Sequence, residues 1–191
     1  MFIQTESTPN PQTLKFLPGR EVAGLGVHDF PEPEAAEVSP LAQALFKLTG
    51  VRRVYLGPDF VTITKHEAVD WAHLKPAALA AIMDHYVAGL PVLLEGAAAA
   101  RAAADVDVYE GEAAEIVEQI QDLIDTRVRP AVAQDGGDIT FHSWDHERGV
   151  VKLEMKGSCA GCPSSTLTLK QGIENMLKHY VPEVRSVEQV V

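Results

Sequence analysis

Between residues 91 and 111 the sequence stops reading as a packed core. Pro91, Gly96, an alanine run broken by Arg101, then Asp105, Asp107 and Gly111 follow one another without a sustained apolar period. Alanine favours helix, so an exposed extension of a preceding helix would give a similar stretch. The expectation adopted is a linker, because domain boundaries fall in exposed, weakly apolar segments. The 191 residues then divide into two small domains, 1–90 and 112–191. With 46% hydrophobic residues, each piece can bury a core of its own.

In the first segment, Phe2 to Glu6 and Thr13 to Leu17 read as short strands. Ser7-Thr8-Pro9-Asn10-Pro11 is the turn between them, since two prolines cannot sit inside a paired strand. Gly24 to Ser39, with Pro31, Pro33 and several acids, reads as a loop. Ser39-Pro40 opens a helix with Ser39 as N-cap and Leu41, Leu45 and Leu48 on its buried stripe. Val51 to Leu56 and Phe60 to Thr64 form a hairpin around Gly57-Pro58-Asp59. A second helix starts near Asp70, or near residue 75 if Pro76 delays it, with Trp71, Leu74, Ile82, Met83 and Tyr86 on one side.

In the second segment, Ala113, Ile116, Val117, Ile120, Leu123, Ile124 and Val128 follow a helical period that Pro130 stops or follows. Asp135-Gly136-Gly137-Asp138 is a turn. Ile139, Phe141 and Ser143 alternate with Thr140, His142 and Trp144 on a strand, and Val151, Leu153 and Met155 share one face of the next. A helix with Leu169, Ile173, Met176, Leu177 and Tyr180 on its apolar face follows, then a last strand from Val184 to Val190. The expected fold class is α+β, two small mixed domains joined by a linker, the second ordered α-β-β-α-β.

The chain has two cysteines, both in Gly157-Ser158-Cys159-Ala160-Gly161-Cys162-Pro163, between a strand end and a helix start. Two thiols three positions apart in a reducing compartment point to metal or redox chemistry, not to a secreted disulfide framework. Unpaired N–H groups at a helix start favour thiolate, the ligating form. Pro163 fits a first helical position. Gly157 and Gly161 let the backbone curl around the sulfurs and admit a second chain. An iron–sulfur cluster takes four ligands, and one chain supplies two; a two-fold dimer supplies the rest from the same patch on each subunit.

Rival readings use the same residues. A thioredoxin-like dithiol shares the local pattern, but the domain lacks the strand–helix–strand unit expected beside it. Structural zinc needs four ligands, and no second cysteine pair exists, although a zinc-bridged dimer would satisfy the count. Two cysteines packed as small hydrophobes fit poorly with flanking Gly, Ser and Pro, which make a loop and not a core, and nothing positive in the sequence supports a protein acting only by interaction with vestigial thiols. His142 and His146 stand ~13 Å apart along a strand, too far for one metal. Gly24-Leu25-Gly26 lacks the strand-to-helix context of a dinucleotide loop. Asp135 and Asp138 are accounted for by turn chemistry.

The net charge of −11 disfavours nucleic acid and anionic lipid as partners, and no apolar stretch is long enough to span a bilayer. The first residues carry neither a basic nor an apolar signal region, so the expected compartment is a bacterial cytoplasm, or the mitochondrial matrix for a trimmed mature form.

Around Arg129-Pro130, Asp135-Gly136-Gly137-Asp138 and the run Gly157 to Ser165, the second domain resembles the NifU-like, or Nfu, family. Thr8-Pro9-Asn10-Pro11, Thr13-Leu14-Lys15-Phe16 and the hairpin Val51 to Thr64 resemble the family's N-terminal domain. The resemblance implies a carrier or scaffold, not an enzyme, that holds a 4Fe–4S cluster (or 2Fe–2S) on Cys159 and Cys162. Gly157, Ser158, Gly161 and Pro163 shape the loop. It further implies a homodimer when loaded, an upstream assembly machinery, apo iron–sulfur clients, and an N-terminal domain that recognises clients or partners. The scaffold domain and the extra cysteine-rich domain of full NifU are missing, which favours receiving and handing on a cluster over building one.

Overall fold

A computed structural model describes residues 2–24, 26–94, 109–160 and 163–190, with the backbone alone at 163–166. The chain forms two compact units, Met1–Ala102 and Ala103–Val191. The expected linker falls largely on 95–108, outside the described residues.

In the first unit, β1 (Gln4–Ser7) and β2 (Thr13–Leu17) form the expected antiparallel pair. Thr8 and Asn10 close the turn: the Thr8 hydroxyl donates to the Asn10 carbonyl at 2.9 Å, and the Asn10 side-chain oxygen accepts from Gln12 N–H at 3.0 Å. The stretch expected to be all loop instead holds β3 (His28–Phe30) and a 3-10 turn over Pro33–Val38. Three residues carry no readable period; pairing with β4 and the ion pair from Arg53 to Asp29 make the strand. α1 (Pro40–Phe46) starts as its sequence predicts, with the Ser39 hydroxyl accepting from Ala42 N–H at 3.1 Å.

β4 (Val51–Leu56) and β5 (Val61–Lys65) complete an antiparallel sheet in the order β1-β2-β5-β4-β3. α2 spans Trp71–Val87 with Asp70 as N-cap and Pro76 inside, so the proline does not delay its start. Leu74, Ala78, Ile82 and His85 face the core, whereas Met83, expected inside, is exposed. Gly89, at φ +64, closes α2 with Gly89 and Leu90 N–H donating to the Tyr86 and His85 carbonyls. Phe16, Leu41, Leu45, Val54, Ile63 and Ile82 are among the core side chains.

In the second unit, α3 (Glu112–Leu123) does not end at Pro130. It widens into a π turn over Ile124–Val128 and continues as α4 (Arg129–Gln134) with Pro130 in its first turn. Arg129 N–H reaches the Ile124 carbonyl, one residue farther back than in an α-helix. β6 (Gly137–Asp145) and β7 (Val150–Gly157) pair antiparallel, and β8 (Ser186–Val190) lies parallel to β7 across α5 (Pro163–Tyr180). A register shift between Phe141 and Ser143 breaks the expected alternation, so Trp144 turns into the core with Ile139. Tyr109, inside the expected linker, packs on that core and its hydroxyl accepts from Trp144 N–H at 2.7 Å. Tyr180, expected on the buried face of α5, is exposed beneath the Arg127 guanidinium.

Candidate metal-ligand turn at the end of β7

β7 ends at Gly157, whose φ of +62 turns the chain out of the sheet at no steric cost. The turn at 158–160 follows, and α5 begins at Pro163. Gly157 pairs with Gly137 at the start of β6. The cysteine turn therefore lies against the Asp135–Asp138 turn.

Two hydrogen bonds hold the two turns together, and a third closes the cysteine turn on itself. Ser158 N–H donates to the Gly136 carbonyl at 3.2 Å. The Ser158 hydroxyl donates to the Asp135 carbonyl at 2.6 Å. Ala160 N–H donates to the Gly157 carbonyl at 3.2 Å. Cys159 is 6% exposed and belongs to the apolar core.

Its sulfur lies over Gly137. A Cβ built on Gly137 would stand 2.5 Å from Cys159 Sγ, 3.0 Å from the Lys156 carbonyl and 3.1 Å from Cys159 N. Only glycine lets the strand pass this close beneath the thiol. The next residue, Asp138, is buried and takes a two-pronged ion pair from Arg129, with Nε at 2.8 Å and the second nitrogen at 3.1 Å. Arg129 also reaches Asp125 at 3.2 Å. The Asp138 hydrogen bond is the main cause holding the guanidinium well above its usual pKa. An arginine at the first position of α4 thus pins the start of β6, which in turn carries the floor of the cysteine turn.

Of the expected site residues, Gly157, Ser158 and Cys159 are brought together, and Pro163 opens α5. Gly161 and Cys162 lie outside the described residues. His142 sits at the β6 bulge, and among the described residues no three His, Cys, Asp or Glu side chains are grouped to hold a metal ion. Arg129, Gly136, Gly137 and Asp138 were not singled out as site residues. Asp138 is not explained by turn chemistry: it is the buried partner of Arg129.

Two family models match the chain: the scaffold protein Nfu/NifU N-terminal domain over residues 3–89, and the NifU-like domain over 120–188. The NFU1 iron-sulfur cluster scaffold homolog, mitochondrial, of Drosophila willistoni is 56% identical over 191 residues, all of this chain and 64% of that protein. NifU-like protein 5, mitochondrial, of Arabidopsis thaliana is 52% identical over 189 residues, 99% of this chain and 68% of that protein. A solution structure of a NifU-like protein from Saccharomyces cerevisiae aligns with a TM-score of 0.45 and 28% identity over 50% of this chain and 86% of that one. The chain spans a little under two thirds of the length of the Drosophila relative. With both of its halves matched and more than half its residues shared with these proteins, the chain belongs to the Nfu/NifU family.

Proposed function

We propose that this protein is a scaffold or carrier for an iron–sulfur cluster, bound as cargo by Cys159 and Cys162 of two subunits and passed to apo-proteins. The carrying observation is the glycine-floored turn that presents Cys159 between β7 and α5, in a chain of a family whose relatives are named for cluster scaffolding. The sequence holds two cysteines, and a cluster needs about four ligands, so two copies complete the shell. α5 opens at Pro163, beside Cys162, and its start favours thiolate. A client's thiolates then replace the carrier's one at a time, each new Fe–S bond to the client matched by one broken to the carrier, and no bond in a small substrate is made or broken.

Residues 1–90 serve client or partner recognition in this reading, and 112–191 hold the cargo. The cargo is 4Fe–4S, with 2Fe–2S as its smaller alternative. The compartment named for the relatives, the mitochondrion, supports the matrix over a bacterial cytoplasm.

Anaerobic reconstitution with iron and sulfide tests this. The expected product is a brown dimer with about one 4Fe–4S cluster per two chains by Mössbauer spectroscopy and mass, and with transfer to an apo-protein. Cys159→Ser and Cys162→Ser should each abolish retention with the circular dichroism of the apo chain unchanged. A monomer holding a complete cluster, or a serine variant holding it normally, overturns the assignment.

A further inference from the structure

The outward face of α2 is apolar. Leu74, Ala78, Ile82 and His85 line its buried side. On the opposite side Pro76, Ala80, Met83 and Val87 are all exposed. Their spacing of four, three and four residues is that of a seam at which a second helix packs. A helix apolar on both faces is ordinarily covered on both. Within α2 two residues flanking this seam are polar and exposed, His73 and Asp84. They are eleven residues apart, close to three full turns, and so stand on the same flank.

We infer that this seam is a docking surface for α2 of a second copy of the chain, packed antiparallel. The midpoint of Trp71–Val87 is residue 79, so full antiparallel overlap places exposed Ala80 beside the two-fold axis, where a small side chain lets two backbones approach. In that overlap Met83 packs near Pro76 of the second copy. His73 falls within one residue's rise of the second copy's Asp84, and symmetry repeats the contact at the other end. A partner of unrelated sequence would not be expected to place a carboxylate beside His73 and a donor beside Asp84; a second copy does both.

The 17-residue helix is about 26 Å long and ~10 Å wide, so each copy buries on the order of 260 Å². Stable dimers bury about 800 Å² per partner. The association is accordingly weak, with a dissociation constant on the order of 10⁻⁴ M.

The test uses the full chain carrying Cys159→Ser and Cys162→Ser, so that the result is independent of any cluster-bridged dimer. Sedimentation equilibrium from about 10 μM to about 1 mM should show the average mass rising toward that of a dimer. Met83→Glu should hold it at the monomer, and His73→Glu should weaken association at least about tenfold by placing a like charge beside Asp84. Adding Asp84→Lys to His73→Glu should restore association. A monomer throughout the range, association unchanged by Met83→Glu, or a double variant no better than His73→Glu, each overturns the inference. So does a seam whose amide signals shift only when a different protein is added.

Discussion

A missing methyl group decides where the Cys159 sulfur can sit. Gly137→Ala would drive a Cβ to 2.5 Å from Sγ with backbone atoms of Lys156 and Cys159 on its other sides, so the turn itself must shift. The expected outcome is a loss of about 1–3 kcal/mol in urea unfolding of the apo chain. Cluster occupancy after reconstitution should fall sharply, a larger effect than so modest a destabilisation would produce. Arg129→Ala removes the cation that Asp138 faces inside the unit. A buried ion pair broken on one side costs about 3–5 kcal/mol; because Arg129 is partly open to solvent, about 1–3 kcal/mol is expected in the same measurement. Arg129→Lys should recover only part of it, since a point charge cannot make the two-pronged contact.

At the level of elements, α2 carries a hidden titration. His85 is buried, and burial pushes its pKa below its ordinary value, with a hydrogen bond to the Leu90 backbone acting the other way. The folded chain therefore resists a proton that the unfolded chain accepts. Stability is whole above about pH 6.5, falls as the pH drops through it, and levels off once the folded histidine also protonates. The urea midpoint of the first unit should be lower at pH 5.5 than at pH 8, and His85→Leu should reduce that difference.

The elements also show what a sequence can and cannot announce. Ser39-Pro40 and Gly57-Pro58-Asp59 are local codes, and both stood where their chemistry predicts. β3 has no local code: His28–Phe30 is a strand because Val54–Leu56 and Arg53 lie beside it. Pro130 reads as a stop because the rule assumes one unbroken α-helix, whereas a π turn ends before it and Pro130 sits in the first turn of α4, where its missing N–H is tolerated. The cysteine turn was legible as Gly157-Ser158-Cys159, but its floor was not. Gly137 and Asp138 resemble any turn until Gly157 pairs across from them, a contact between residues far apart in the chain. The π turn has a consequence of its own: its extra residue rotates α4 by about 100°, so removing one residue from 124–128 would swing Arg129 off Asp138.

For the molecule as a whole, two separate cores predict two separate melts. Calorimetry of the apo chain should resolve two transitions, with Ile82→Ala lowering one and Ile120→Ala the other, each by about 2–5 kcal/mol. If the cargo binds as proposed, loading it should raise only the transition that Ile120→Ala lowers, as ligation of one folded state requires. Among the described residues of that second unit, β7 is the only strand flanked on both sides, by β6 and by β8, and Cys159 stands two residues past its end at Gly157. Amide exchange should be slowest there. The thiol is thus moored to the stretch of backbone that lets go last, and it keeps its place while the edges of the sheet fray and re-form.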